Sequence, residues 1–293
     1  SVHSINSFYY YCRAFFYEKQ QRRRLAIMDD KRKISLFFFI LVLIFFYMPI
    51  MMLVILSFNN GRGFSWEGFS LKWYLELFIK SPDLCEAFLR SVLIAVTSSV
   101  ISVVIATLGA IAIKWYNFKV KNYVKFVSYI PLVIPDIIMG ISLAIFFANF
   151  RIPFLGIEGI PLSLWTVFIA HTTFNVPFAL FIIMSRLDEF DYAVVEAAHD
   201  LGASEFQTLV KVIIPIMMPG IISGFLMAMT LSFDDYVITS FVSGNGEPTL
   251  PLYIYSSIKR GVSPVVNALS VILIIGTIIL TFSSRKLQKN ILG

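Results

Sequence analysis

The hydropathy of the chain alternates between long apolar runs and short polar segments. Six apolar runs are each long enough to cross a hydrocarbon core, which takes about 20 residues of helix. They lie near residues 35–57, 91–113, 127–149, 161–184, 217–242 and 265–283. Several contain proline or glycine, which a membrane bundle tolerates where neighbouring helices satisfy the backbone. The pattern predicts an all-α, polytopic membrane protein with six transmembrane helices.

Composition agrees with a membrane location and excludes several other classes. Of the 293 residues, 58% are hydrophobic and only 14% are charged, and the mean hydropathy is +0.80. A soluble core does not bury so large an apolar share. The sequence has no GxxxxGK[ST] phosphate loop and no clustered histidine or cysteine. We therefore expect no catalytic residue, no metal site and no cofactor in this chain.

Lysine and arginine are distributed unevenly between the two sides that six crossings define. When the N-terminus is placed inside, the inner segments hold most of them, in a basic tail at residues 1–34, a loop at 114–125 and a second tail at 285–293. Positive residues concentrate on the cytoplasmic side of membrane proteins. The distribution predicts that both termini are cytoplasmic and that residues 35–284 form the transmembrane domain.

A polar segment separates the fourth and fifth runs, over about residues 187–215. Asp191 is suited to cap a helix that covers Tyr192 to Leu201. Gly202 is suited to the left-handed conformation that ends such a helix. The segment therefore begins with a short helix and a tight turn.

A second helix is predicted to follow this turn at once. Ser204 and Gln207 form a capping box, and the helix should run toward Pro215. The resulting pattern also resembles a helix-turn-helix DNA reader. Acidic residues far outnumber basic ones in this segment, so it would repel a phosphate backbone. We conclude that it is a helical hairpin that does not bind nucleic acid.

Three acidic residues lie inside apolar runs. Asp136 lies near the middle of the third run, and Asp234 and Asp235 lie in the outer half of the fifth. An ionised acid at such a depth costs at least about 2.5–3.5 kcal/mol. A cationic substrate would compensate for that cost, so we interpret all three as substrate-pathway residues. Because adjacent residues on a helix point about 100° apart, only one of Asp234 and Asp235 should face a pore.

Each of these residues also has a purely structural interpretation. The carboxylate of Asp136 could cap a helix that restarts after a proline break. Asp234 and Asp235 could simply be solvated at the outer mouth. The neighbouring Phe233 and Tyr236 could offer ring faces to an ammonium group, or could be ordinary packing residues.

One histidine, His171, lies inside the fourth run. It stands beside two threonines, which supply hydrogen-bonding groups within an apolar run. We interpret it as a packed, hydrogen-bonded interior residue rather than as a proton relay.

Five stretches carry a family resemblance. They are PLVIPDIIMGISL, HTTFNVPFAL, EAAHDLGAS, LSFDDYVITSFVSG and LPLYIYSSIKRGVSPVVNALS. They resemble the second permease subunit of the spermidine/putrescine ABC importers, from about Met28 to the C-terminus. The resemblance implies a type I ABC importer permease fold and a polyamine cargo that passes Asp136 and either Asp234 or Asp235. Met28 resembles the natural start of this family, so residues 1–27 are interpreted either as an unusual extension or as the non-native product of a mis-set start codon.

The hairpin has the residue spacing of the EAA motif in the membrane subunits of bacterial ABC importers. The matching residues are Glu196, Ala197, Ala198, Gly202, Ile214 and Pro215. In that family the loop docks into a groove of the ATPase, which implies that this hairpin is the ATPase-coupling element. Within it, Ser204 begins the second helix. We predict that the apolar side chain of Phe206 inserts into the groove of the ATPase. The alternative is that it packs under its own hairpin.

The resemblance also implies partners and a location in the bacterial cytoplasmic (inner) membrane. The partners are a homologous second permease, a dimer of the ATP-binding subunit that binds ATP and Mg, and an extracytoplasmic polyamine-binding protein. The long outer loop, Asn59 to Arg90, is either a partly helical interfacial cap or the landing surface of that binding protein.

Two alternative functions stay open. The same architecture could import another cation or a small metabolite. A different class is an ion-coupled secondary transporter, in which Asp136 and Asp234 carry protons or sodium. The polar hairpin argues against this class, since an ion-driven carrier needs no ATPase dock.

Overall fold

A computed structural model describes residues 33–152, 157–244, 246–260 and 264–292. The helices, in chain order, are α1 Lys33–Ser57, α2 Lys72–Lys80, α3 Pro82–Trp115, α4 Lys121–Tyr129, α5 Asp136–Asn149, α6 Leu164–Asp188, α7 Ala193–Asp200, α8 Glu205–Thr208, α9 Ile214–Asp234, α10 Val237–Val242, α11 Leu250–Arg260 and α12 Pro264–Leu292. One short antiparallel ladder joins β1, Arg151–Ile152, to β2, Ile157–Glu158. The interpretations of residues 1–27 and of most of the 1–34 tail lie outside the described residues.

Four helices among the described residues are long and apolar enough to cross a membrane. They are α1, α3, α6 and the continuous helix Glu205–Asp234, which contains α8 and α9. The bent pair of α4 and α5 would make a fifth crossing. In α12 the described apolar stretch, Pro264–Ile279, is shorter than a full crossing. The predicted all-α polytopic membrane fold is confirmed, whereas the number of six helices is not.

The third apolar run does not form one straight helix. The segments Lys121–Leu132 and Asp136–Asn149 meet at 111°, with a 3₁₀ turn at the end of the first. Pro131 and Pro135 explain the break, because proline has no amide hydrogen and disfavours helical conformation in the residue before it. Counting residues along the run therefore does not give the depth of Asp136.

The fifth run is also divided, and its helix begins earlier than predicted. α9 ends at Asp234, and the short helix α10 follows after two residues. At the other end, a π turn at Leu209–Ile213 makes α8 and α9 continuous. A proline inside an α-helix clashes with the carbonyl four residues before it, and the wider turn just before Pro215 relieves this clash.

The chain divides into two compact units, of which Leu75–Ser263 contains the helices α3, α6 and α9. Small residues on α9 let it approach α6 closely, since a Cβ on Gly224 would lie 3.4 Å from Ile183 Cγ1. Such small-residue contacts are typical of helix pairs in membranes. The buried small residues of α9 recur every four positions, at Gly220, Gly224, Ala228 and Ser232.

Two apolar clusters fill this unit. One joins α3, α6 and α9 to the hairpin through Val195 and Ile213. The other joins α5, α6 and α10 around Phe147 and Ile238. The hairpin and the break at Asp235 are therefore each supported by an apolar cluster of their own.

The other unit combines the residues up to Tyr74 with those from Pro264 onward. In it the buried Asn59 side chain organises the start of the outer loop by donating a hydrogen bond to the Ser65 carbonyl at 2.7 Å. The Trp73 indole donates to the Asn59 carbonyl at 2.6 Å. The loop then continues into α2, which confirms its partly helical structure. Its role as a landing surface stays a prediction.

Gly140 on α5 allows close contact with α10. A Cβ at Gly140 would lie 2.6 Å from Phe241 Cδ2 and 3.3 Å from the backbone of Ile238. We expect Gly140→Ala to cost about 1–3 kcal/mol of stability and to lower the thermal unfolding midpoint of the purified protein. Gly276→Ala on α12 is the matched control, because a Cβ there meets nothing within 4 Å. Equal midpoints for the two variants would show that α5 does not pack on α10 this closely.

Candidate functional site

The break between α9 and α10 places a carboxylate at the start of α10. Asp235 is extended, with φ −65° and ψ 120°. Its carboxylate accepts hydrogen bonds from the backbone N–H of Thr239 at 2.8 Å and of Ile238 at 3.3 Å, and from the Thr239 hydroxyl at 2.7 Å. The first N–H groups of a helix have no partner within it. Asp235 supplies that partner for α10, and its side chain is only 9% exposed.

His171 on α6 contacts the same group from the interior. Its Nε2 lies 2.9 Å from the Thr239 hydroxyl and 3.3 Å from Asp235 Oδ2. Its Nδ1 lies 2.6 Å from the hydroxyl of Ser232, which in turn is 3.2 Å from the Ser98 hydroxyl. The histidine side chain is 1% exposed. The interpretation of His171 as a packed, hydrogen-bonded interior residue is confirmed.

We call this group the interior polar cluster, made of Ser98, His171, Ser232, Asp235 and Thr239. The sequence indicated its histidine and its aspartate separately and did not pair them. The three hydroxyl residues were missed, although polar residues inside apolar runs were a visible signal. That signal is weak because hydroxyls on membrane helices often bond to the carbonyl four residues earlier, as Thr107 does to Val103.

Asp234 differs sharply from the aspartate that follows it. It is the last residue of α9 and is exposed, whereas Asp235 is held in the interior polar cluster. The expectation was that only one of the two faces a pore. Asp234 is the one whose carboxylate stays accessible, and its place on a substrate pathway remains a prediction.

The aromatic residues beside the two aspartates are both packed against other rings. Phe233 meets Phe88 edge-on, with ring centroids 6.0 Å apart. Tyr236 lies 4.3 Å from the ring of Tyr255, over which the ammonium group of Lys259 lies at 4.8 Å. These contacts fit the packing interpretation. The tyrosine pair already attracts one cation of the chain, so recognition of an ammonium cargo there stays a prediction.

Asp136 is the first residue of α5, directly after the bend, and is exposed. No side-chain hydrogen bond caps α5, so the alternative in which the Asp136 carboxylate caps this helix is wrong. Its negative charge still lies at a helix N-terminus, where the helix dipole favours it. Because α5 packs on α10 through Gly140, the helices that Asp136 and Asp235 begin are in contact.

The hairpin predicted at residues 187–215 is present with slightly different bounds. Its first helix, α7, covers Ala193–Asp200 rather than Tyr192 to Leu201. Asp191 Oδ1 accepts a hydrogen bond from the first N–H of α7 at 3.0 Å, as its capping role requires. Gly202 has φ +81°, the left-handed conformation that was expected to end the helix.

The second helix of the hairpin starts as predicted but is not a separate element. The Ser204 hydroxyl accepts from the N–H of Gln207 at 3.3 Å, and the Gln207 side chain accepts from the N–H of Ser204 at 3.0 Å. The helix then continues past Pro215 into α9. Pro215 does not end it, so the hairpin is joined directly to the fifth span.

The hairpin has one buried and one exposed face. Val195 and Ala198 are buried and fix α7 on the bundle. Glu196 and Ala197 point away from it, and the ring of Phe206 is 73% exposed. The exposed residues form the side that another protein could contact. The exposure of Phe206 disfavours the alternative in which it packs under its own hairpin.

The fold and these polar features define a multi-pass membrane protein with an acidic break in one span and a helical hairpin outside the bundle. A family model described as a binding-protein-dependent transport system inner membrane component matches residues 102–292. The chain belongs to this family of transport components.

Curated relatives cover most of the chain. It is 39% identical over 238 residues to the spermidine/putrescine transport system permease protein PotC of Escherichia coli (strain K12), covering 81% of this chain and 87% of the relative. The corresponding protein of Haemophilus influenzae is 40% identical, covering 81% of this chain and 89% of the relative. The putrescine transport system permease protein PotI of Escherichia coli (strain K12) is 38% identical over 225 residues, with 75% and 78% covered.

Solved structures support the same architecture. A bacterial ABC transporter that imports the acidic polysaccharide alginate matches with a TM-score of 0.60 at 20% identity, over 87% of this chain and 96% of that chain. An inward-facing MetNI methionine ABC transporter matches with a TM-score of 0.56 at 18% identity, over 70% of this chain and 94% of that chain. At these identities the likeness concerns the fold, and it confirms the predicted ABC importer permease fold.

Proposed function

We propose that the chain is a permease subunit of an ATP-driven ABC importer that carries spermidine or putrescine across the bacterial cytoplasmic membrane. The observation that carries the proposal is the exposed carboxylate of Asp234 at the break of the fifth span, beside Asp235, which is already engaged. A free carboxylate inside a membrane protein marks a path for a cation. The names of the relatives, which include spermidine and putrescine transport, support a polyamine as that cation.

In this proposal the chain lines one half of a pore, and a homologous second permease lines the other. The polyamine passes Asp136 and Asp234, with Phe233 and Tyr236 beside its path. An extracytoplasmic binding protein delivers the polyamine to the outer mouth. The accessible positions of Asp136 and Asp234 support this path.

The energy comes from a dimer of a separate ATP-binding subunit, which binds ATP and Mg and hydrolyses the nucleotide. The exposed side of the hairpin, with Glu196, Ala197 and Phe206, docks on that subunit, and the turn at Gly202 and Ser204 fixes its shape. Both termini are cytoplasmic, which places the hairpin on the side where ATP is available. Closure of the ATPase dimer then moves the hairpin and turns the pore outward.

The test is uptake of radiolabelled spermidine and putrescine into a strain without its own polyamine importers, with this chain and its three partners co-expressed. We expect ATP-dependent uptake that falls by about tenfold or more in Asp136→Asn, because a lost charge-assisted hydrogen bond costs about 1.5–3 kcal/mol. Asp136→Glu keeps the charge at the same position and is the matched control, for which we expect most of the uptake to remain.

The outcomes separate the alternatives. No polyamine uptake by an assembled complex that hydrolyses ATP would favour another cation or small metabolite as cargo. Uptake that persists without the ATP-binding subunit and follows an ion gradient would favour an ion-coupled carrier. Equal uptake by Asp136→Asn and Asp136→Glu would remove Asp136 from the path.

A further inference from the structure

A pocket of about 370 Å³ lies between the C-terminal end of α3 and the hairpin. Its volume is within the range of sites for small molecules, about 300–1,000 Å³. Four aromatic side chains line it, together with one carboxylate. They are Trp115, Tyr116, Tyr192, Phe206 and Glu205, and the imidazole of His199 lines the pocket as well. Of these residues, the function proposed above uses only Phe206.

The carboxylate of Glu205 is only partly engaged. Within the described part of the chain, its hydrogen-bond partner is the Tyr116 hydroxyl, which donates to Oε2 at 3.3 Å. The same stretch contains no lysine or arginine in an ion pair with Glu205. The negative charge beside it raises the pKa of Tyr116 above its ordinary value, so the phenol stays protonated and acts as the donor. One oxygen of Glu205 is therefore available to a ligand.

Thr208 adds a second and independent observation. Its side chain is 1% exposed and lines the pocket, yet its Oγ1 has no hydrogen-bond partner among the described residues. The Ser204 carbonyl, one turn before it, already accepts the backbone N–H of Thr208 at 2.8 Å. Buried hydroxyls are rarely left without a partner. The oxygen itself has almost no accessible surface, so an occupant with a hydrogen-bond donor would satisfy it once the Thr208 side chain turns toward the pocket.

The aromatic side chains that line the pocket indicate what kind of hydrogen-bond donor would bind there. Trp115 is held by the rings of Phe190 and Tyr192, at centroid distances of 5.4 and 5.6 Å. Aromatic faces attract ammonium groups within about 6 Å, and a carboxylate adds the opposite charge. A divalent metal needs several oxygen ligands, and an anion would be repelled by Glu205. The combination suits an organic cation that has N–H groups.

We propose that this pocket binds a small alkylammonium ion, with Glu205 as its counter-ion, Thr208 Oγ1 as a hydrogen-bond acceptor and the rings of Trp115, Tyr116 and Tyr192 as its walls. The site lies at the hairpin, apart from Asp234, so it does not depend on the cargo proposed above. A bound cation would connect the end of α3 to α8. It would thereby hold the hairpin against the bundle.

The test uses the full chain in lipid nanodiscs, labelled with 5-fluorotryptophan. The chain has four tryptophans, and Trp115→Phe assigns the ¹⁹F resonance of Trp115. Putrescine is the probe, and 1,4-butanediol is its uncharged control of equal chain length. We expect putrescine to shift the Trp115 resonance saturably and butanediol to leave it unchanged. Binding of putrescine elsewhere, including at Asp234, is not expected to move this resonance.

Variants of the lining residues distinguish the proposed contacts. Glu205→Gln should weaken the putrescine response by about tenfold or more, since it removes a charged partner. Asp200→Asn, which removes another exposed acid of the same hairpin, should leave it unchanged. Thr208→Val should weaken the response and also raise the unfolding temperature of the free protein, because it replaces an unpartnered buried hydroxyl. The proposal is overturned by an unmoved Trp115 resonance, by an equal response to butanediol, or by an unaltered response in Glu205→Gln.

Discussion

Asp234→Asn is expected to leave the protein folded and to remove most of its polyamine uptake, whereas Asp235→Asn is expected to destabilise the fold. The two substitutions are chemically identical and fall on adjacent residues, but the surroundings differ. Asp234 is exposed at the end of α9, so a neutral amide there disturbs no contact. The measurements are uptake of labelled putrescine and the thermal unfolding midpoint of each purified variant.

The expected instability of Asp235→Asn follows from the groups that surround its carboxylate. Oδ2 accepts two hydrogen bonds from Thr239 and lies 3.3 Å from His171 Nε2. An asparagine has no charge to offer these donors, and its NH₂ group accepts nothing. We expect a loss of about 2 kcal/mol, as for charge-assisted hydrogen bonds. Membrane proteins often recover part of such a loss through other partners, so a larger value is not expected.

A control tests whether His171 acts through its contact with the Asp235 carboxylate. His171→Gln keeps a side-chain N–H that can reach Asp235, and His171→Leu keeps the bulk without a donor. We therefore expect His171→Leu to lower the unfolding midpoint more than His171→Gln. The assignment of distinct roles to the two aspartates would be refuted by a stable Asp235→Asn protein that fails only in transport, or by an unstable Asp234→Asn protein.

Phe206→Ala is expected to weaken association with the ATP-binding subunit by about tenfold to a hundredfold and to leave membrane insertion intact. The ring is 73% exposed, so its removal takes little packing from the chain itself. Burial of a phenylalanine in a partner's groove contributes about 1.5–3 kcal/mol, which corresponds to that change in affinity. The measurement is co-purification of the subunit and its dissociation constant from the permease in detergent.

Val210→Ala is the matched control for Phe206→Ala. It trims another exposed apolar side chain one turn further along the same helix. We expect little change in association for this variant. An unchanged dissociation constant in Phe206→Ala, together with a lower unfolding temperature, would mean that the ring stabilises its own hairpin instead.

Features encoded by local chemistry were predictable from the sequence. The turn at Gly202 and the capping box of Ser204 and Gln207 depend on residues within one turn of each other. Both appear in the structure at the expected positions. The predicted end of the second helix was wrong. Pro215 was expected to stop the helix, whereas the π turn before it lets the helix continue.

Features that depend on distant parts of the chain were not predictable in the same way. The carboxylate of Asp235 is held by His171, which is remote in sequence, and nothing near either residue reveals the pairing. Pro131 and Pro135 are visible in the sequence, but neither the 111° angle between the two segments nor the contact of α5 with α10 at Gly140 can be read from it. The sequence likewise does not show which of Asp234 and Asp235 stays accessible.

The unbroken helix from Glu205 to Asp234 has a mechanical consequence. Its 30 residues span about 45 Å at 1.5 Å per residue. It has no side chain of its own at Gly220 and Gly224, where Arg186 and Ile183 of α6 lie against its backbone. This contact is a fulcrum, with about 25 Å of lever on the hairpin side and about 18 Å on the Asp234 side. A sideways push of about 3 Å on the hairpin would swing Asp234 by about 2 Å in the opposite direction, without any intervening loop to absorb the stroke.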